Sequence, residues 1–142
     1  MLAAVTNEKR IEIRWRDVDA YEHVNNAVYA TYLEECRDEW LERALGGAGE
    51  PWDFVLAPVA IDFRRELRLG DERVVVTCSL ERIGTSSLTL REEIRKADGT
   101  LAAESEAVLV ARDRESGRSR ALREDERSSL ESALRVVSRP HT

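Results

Sequence analysis

Between Val28 and Leu45 the apolar residues Val28, Tyr29, Tyr32, Leu33, Cys36, Trp40, Leu41, Ala44 and Leu45 recur at three- and four-residue spacing, and from Val55 onward the spacing falls to two. The first period is that of an amphipathic helix of about five turns. The second is that of strands with one face in a core and the other in water. A stripe this broad, bearing Tyr29, Tyr32 and Trp40, must be covered on most sides, and the strands that follow can cover it. The order strand, long helix, consecutive strands, terminal helix predicts an α+β fold, a curved antiparallel sheet wrapped around one long central helix with a short C-terminal helix.

Local signals set the expected boundaries. Ile11, Ile13 and Trp15 alternate with Glu12, Arg14 and Arg16 as a first strand. Asn25 or Asn26 is the expected cap of the long helix, and Gly46 and Gly47 end it before the loop GGAGEPWD. The alternation from Val55 through Leu69 predicts one long strand ending at Gly70-Asp71. Arg65 falls on its apolar face, which calls for a bulge near Arg64 or an arginine pointing into a cleft, the bulge being favoured. Strands over 73–83, 87–97 and 101–113 follow, separated by Gly84-Thr85 and the hairpin signal Asp98-Gly99. Leu130, Ala133, Leu134 and Val137 place the last helix within 122–137. Residues 1–142 are expected to form a single domain with frayed ends at about 1–7 and 138–142.

Composition excludes several classes. At 142 residues the chain can bury a core without disulfides or a structural metal. A net charge of −6, from 22 basic and 28 acidic residues, argues against nucleic-acid and membrane partners, while leaving room for an anionic ligand on a local arginine cluster. Arg64, Arg65, Arg68, Arg82, Arg91 and Arg95 scatter positive charge over the strands, where solvated faces are the favoured reading. Cys36 and Cys78 are isolated and read as core thiols, not as a zinc site or redox pair. With His23 and His141 the only histidines, no metal site is expected. The N-terminal residues lack a leader pattern, and no run approaches the roughly 20 apolar residues of a membrane span, so a cytoplasmic location is expected.

The polar segment DVDAYEHVNN, residues 17–26, lies between the first strand and the long helix. Helix-start N–H groups are unpaired and sit at the positive end of the helix dipole, so they can hold a carbonyl oxygen as charge develops on it. Asp19, a few residues earlier, is the leading candidate to attack or to deprotonate water, ahead of Asp17. His23 is a candidate base, donor or positioning group, and Asn25 and Asn26 are capping residues placed to align a ligand. Glu22 either raises the Asp19 pKa by repulsion or points to solvent, the latter being favoured. Glu34 and Glu35 on the helix are reserve acids or bases, and Ser86 and Ser87 could contact a ligand. No GxSxG elbow supports a serine triad.

The run RWRDVDAYEHVNNAVYATYLEECR resembles the signature of the 4-hydroxybenzoyl-CoA thioesterase type of the hotdog superfamily. IDFRRELRLGDE and GTSSLTLREEI resemble its later strands, so that the likeness spans nearly 8 to 125. The resemblance implies a hotdog fold, edge-to-edge homodimers often assembled into homotetramers, and hydrolysis of acyl-CoA thioesters without any cofactor beyond the CoA of the substrate. By position, Asp19 matches the catalytic carboxylate, as nucleophile or general base, and Asn26 matches the place whose backbone N–H polarises the carbonyl. Phe63, Arg65 and Ser86 are expected to line the cleft of a partner subunit. Glu22 stands where the family usually has glycine, which leaves the substrate class open. A noncatalytic acyl-CoA binding or sensing module, and a hydroxyacyl-thioester dehydratase using His23 with Glu34, are the alternatives.

Overall fold

In a computed structural model, residues 6–138 of the chain are described. The elements are β1 (Thr6–Glu12), α1 (Asn26–Leu45), β2 (Phe54–Leu56), β3 (Ile61–Phe63), β4 (Arg73–Ile83), β5 (Ser87–Lys96), β6 (Leu101–Ala111) and α2 (Glu124–Ser138). All neighbouring strands are antiparallel, in the order β1-β4-β5-β6-β2, with β3 also on β6. The inner faces of β4, β5 and β6 bury Val74, Val76, Cys78 and Leu80, then Leu88, Leu90 and Ile94, then Ala103, Ala107 and Ala111. α1 packs across β1, β4 and β5, and its Tyr32, Leu33 and Trp40 are essentially inaccessible. Burial of each such side chain stabilises by about 1.5–3 kcal/mol, so the helix is held by its packing and not by propensity.

The first strand starts earlier than its alternation suggested. β1 already includes Thr6 and Asn7, with Asn7 buried, so the expected fraying of 1–7 does not extend to these two residues; residues 1–5 lie outside the described part, as do 139–142 of the expected C-terminal tail. Trp15 is not a core residue: it opens a short 3-10 turn, Trp15–Asp17, and is 80% exposed. The turn forms because the Asp17 carboxylate accepts the Arg14 N–H at 2.9 Å and pulls the chain out of the sheet.

The long strand expected over 55–69 is also broken. β2 and β3 pair with opposite ends of β6, Phe54 facing Ala111 and Phe63 facing Ala103. Pro58, which has no N–H to donate, lies in the gap between them. The N–H groups of Arg64 and Arg65 both donate to the carbonyl of Ala102, at 2.8 and 3.1 Å, the two-against-one pattern of a bulge. Beyond it the chain leaves β6 for the start of α1. Leu67 is fully buried as the alternation implied, but through that helix and not through the sheet.

At the far end, Gly46 adopts the left-handed conformation, φ 55°, and its N–H closes the helix on the Glu42 carbonyl. α2 begins at Glu124, two residues later than expected, and docks there through Ser129, whose hydroxyl donates to the carbonyls of Ala44 and Leu45. Leu130 and Ala133 face the core; Leu134 and Val137 lie outside the residues whose side chains are described. The interior also holds an ion pair. Arg37 on α1 donates to both oxygens of Glu92 on β5, at 2.7 and 2.9 Å, and Ser105 on β6 donates to the same carboxylate.

Candidate active site

The segment entering α1 is folded by its own side chains. The Asp17 carbonyl accepts the Asn25 N–H, and its carboxylate, buried beneath the loop, accepts the Tyr32 hydroxyl at 2.7 Å. Burial opposes the charge on Asp17, but the Arg14 N–H, the Tyr32 hydroxyl and the Arg14 guanidinium together hold its carboxyl below the usual carboxylate range. Asp17 is thus a structural anchor. Asp19, two residues on, is exposed.

A small closed loop carries Asp19. Its N–H donates to the His23 carbonyl at 2.9 Å, its carbonyl accepts the Glu22 N–H, and its Oδ1 accepts the N–H groups of Tyr21 and His23. One oxygen is therefore fixed by backbone, and Oδ2 has no protein partner among the described residues. Glu22 completes the turn with φ 65°, a conformation that glycine takes without steric penalty. Glu22 lines a second hollow with Trp15, Val18 and Leu69 and is not among the residues lining the space in front of α1.

That space is a cavity of about 310 Å³ lined by Asp19, His23, Asn25, Asn26, Tyr29 and Glu66, with Val24 and Leu67. It brings together four of the residues singled out from sequence and adds Tyr29 and Glu66, which were not. Asn25 is the helix cap: its side chain accepts the Ala27 N–H at 2.9 Å and its carbonyl the Val28 N–H. Asn26, the first helical residue, has no carbonyl one turn back, so its N–H is the first-turn donor left over. Tyr29 follows Asn25 by one turn, its hydroxyl accepting the Leu67 N–H and its ring meeting Phe63 edge-on at 4.9 Å. His23 places Nδ1 3.5 Å from the Glu66 carboxylate, beside the backbone bridge from His23 to Arg68. The helical period flagged Tyr29 as buried, whereas nothing in the sequence marked Glu66.

The remaining candidates are distributed elsewhere. Phe63 borders the cavity through Tyr29, and Arg65 contributes its carbonyl to the Tyr29 hydroxyl while its guanidinium turns back to the Arg64 carbonyl. Glu34 lies two turns along α1 in a separate groove, and Glu35 is half-buried away from the cavity. Ser86 and Ser87 sit beside the α2 end of the sheet, where Ser86 accepts the Ala111 N–H; within one chain they are remote from Asp19. Burial pushes the Cys36 thiol up to about 11 and the Cys78 thiol well above its ordinary value, so neither supplies a thiolate near neutrality. Among the described residues no cluster of three or more His, Cys, Asp and Glu side chains is arranged to hold a metal ion, and no helix is long and apolar enough to cross a membrane.

A curled antiparallel sheet with one long helix and a short C-terminal helix is the hotdog architecture of solved thioesterases. The model of the thioesterase-like superfamily matches residues 13–134, and the chain belongs to that superfamily. A thioesterase from Thermus thermophilus, solved in complex with coenzyme A and zinc, is 31% identical, with a TM-score of 0.81 over 95% of this chain and 96% of its own. A predicted thioesterase from Bacillus stearothermophilus is 26% identical, with a TM-score of 0.80 over 90% and 96%. In sequence, the chain is 28% identical over 135 residues to the long-chain acyl-CoA thioesterase FadM of Escherichia coli strain K12, covering 90% of this chain and 99% of that one.

Proposed function

We propose that the protein hydrolyses acyl-CoA thioesters to free acid and CoA, with the Asp19 carboxylate as the reacting group and the Asn26 N–H as the oxyanion donor. The observation that carries this reading is the shared cavity, which has a carboxylate oxygen free at Asp19 and an unused helix-start N–H at Asn26. The substrate class is supported by the acyl-CoA thioesterase of E. coli and by the coenzyme A held by the Thermus thermophilus protein.

The thioester oxygen accepts the Asn26 N–H, so that charge moving onto it meets the positive end of α1. Asp19 then acts by one of two routes. As nucleophile, its Oδ2 bonds to the acyl carbon and the C–S bond breaks, leaving CoA as thiolate and a mixed anhydride that water hydrolyses. As general base, Oδ2 takes a proton from water, the hydroxide attacks the same carbon, and the thiolate collects the proton as it leaves. His23, steadied by Glu66, and Asn25 position the loop and the helix start in both. Neither route draws on a metal or redox cofactor.

The protein is proposed to work in the cytoplasm as a homodimer or homotetramer. Support for assembly comes from the outer edge of β2 and β3, which has no strand beyond it among the described residues and exposes Val55, Leu56 and Phe63.

Thiol release from a panel of acyl-CoAs tests the reading. Asp19→Asn and Asp19→Ala are each expected to lower kcat by about 10²–10⁴-fold, the usual weight of a positioned acid or base. Undiminished turnover in both removes Asp19 from the mechanism. Oxygen-18 appearing in Asp19 after a single turnover in labelled water selects the anhydride route.

A further inference from the structure

Asn26, Ala30, Leu33 and Arg37 follow one another at four-, three- and four-residue spacing along one face of α1, and Glu34, four residues after Ala30 and three before Arg37, borders the same face. One turn beyond Asn26, this face becomes the wall of a groove of about 140 Å³. Ala30 and Leu33 form its helix side, and Leu56, Val59 and Ile61 form the other. At the end away from Asn26 the lining turns polar, with Glu34 and Arg37. From Ala30 to Arg37 the helix rises about 10 Å.

We propose that this groove receives the acyl group and that its polar end restricts the enzyme to short and medium chains, whose last carbon stops before Glu34 and Arg37. The proposal rests on the thioesterase reading, which places the thioester carbon at Asn26. A carbonyl held there points its acyl substituent along the next apolar surface, and the same helix face supplies that surface within one turn. The stop is rigid. Arg37 is only 5% exposed and is gripped through two hydrogen bonds by Glu92, itself fixed by Ser105, so the guanidinium cannot swing aside for a longer chain. A methyl terminus driven past it would strip water from the exposed Glu34 carboxylate without replacing those hydrogen bonds. The volume agrees, being well below the roughly 300–1,000 Å³ of pockets that enclose drug-sized ligands. The E. coli relative is named for long-chain substrates, so the expected preference here is a divergence from it.

Nonhydrolysable S-alkyl-CoA thioethers from ethyl to hexadecyl, titrated by calorimetry beside turnover of the matching acyl-CoAs, test this directly. Affinity is expected to rise by up to about fourfold per methylene and to level off by octyl, with hexadecyl no tighter. Ala30→Phe, on the helix wall, and Val59→Phe, on the opposite wall, are each expected to flatten the rise, with circular dichroism reporting the fold of each. A steady rise to hexadecyl, no dependence on length, or an unchanged rise in both folded variants overturns the proposal. So does an unchanged rise in Ala30→Phe accompanied by a smaller assembly on gel filtration, which assigns the groove to a second copy of the chain. A levelling-off without turnover upholds the groove and removes hydrolysis; turnover without chain-length dependence does the reverse.

Discussion

Arg37 and Glu92, 55 residues apart in sequence, meet in two parallel hydrogen bonds of 2.7 and 2.9 Å, with side-chain exposures of 6% and 1%. The pair ties α1 to the middle of the sheet, where an uncompensated charge would be strongly destabilising. Arg37→Met alone, which strands the Glu92 carboxylate, is expected to lose about 3–5 kcal/mol of stability. Arg37→Met combined with Glu92→Met is expected to lose less than that single change, because no charge is left unpaired. Urea unfolding of wild type, both single variants and the double variant measures the coupling; additive losses would contradict this account.

Asp17 ties stability to acid. Its carboxyl is held below the usual range in the folded chain, against an unfolded value of about 3.9. The stabilisation from ionised Asp17 is therefore complete above the unfolded value and fades as pH falls through the lower folded one. Asp17→Asn is expected to cost about 1.5–3 kcal/mol at neutral pH, the scale of hydrogen bonds to a charged group. The difference from wild type should shrink as the pH is lowered past both values. Denaturant titrations over an acid series read it, and a constant difference at every pH would exclude the ionised form as the source.

Glu22 occupies a left-handed conformation at φ 65°, which is unfavourable for a residue with a Cβ by about 1–2 kcal/mol. Glu22→Gly removes that strain but gives the unfolded chain more freedom, so its stability is expected to stay within about 1 kcal/mol of wild type. Glu22→Val, β-branched, is expected to lower the melting temperature and, by distorting the loop that pins Asp19, to lower turnover as well. Equal losses in both variants would mean that the side chain of Glu22, and not its backbone, matters.

The parts of the fold legible in sequence were those with a single cause for their pattern. Val74 to Leu80 alternate because one face meets the core and the other is partly solvated, Leu88 to Ile94 keep the same period although Thr89 on the outer face is also buried, and both strands run close to where the period placed them. Leu67 kept that period for a different reason, burial under the helix start, and so prolonged a strand that had already left the sheet. Trp15 also kept the alternation, yet the Asp17 cap turns the chain before it reaches the core. At the site, Asp19, His23, Asn25 and Asn26 were legible because they are neighbours in sequence. Glu66 and the Arg37–Glu92 pair were not, since each depends on two distant segments meeting, and charged residues on a strand or helix look solvated until the partner is known.

The cap at Asn25 has a consequence for selectivity. By engaging the N–H groups of Ala27 and Val28 with its own two oxygens, Asn25 leaves the helix start with a single opening, at Asn26. Phosphate and sulfate at a helix start draw on several such donors at once, each oxygen finding its own N–H. Here one oxygen atom fits and a multidentate anion finds its other positions taken. The helix start thus favours a lone carbonyl oxygen over a multidentate anion such as phosphate.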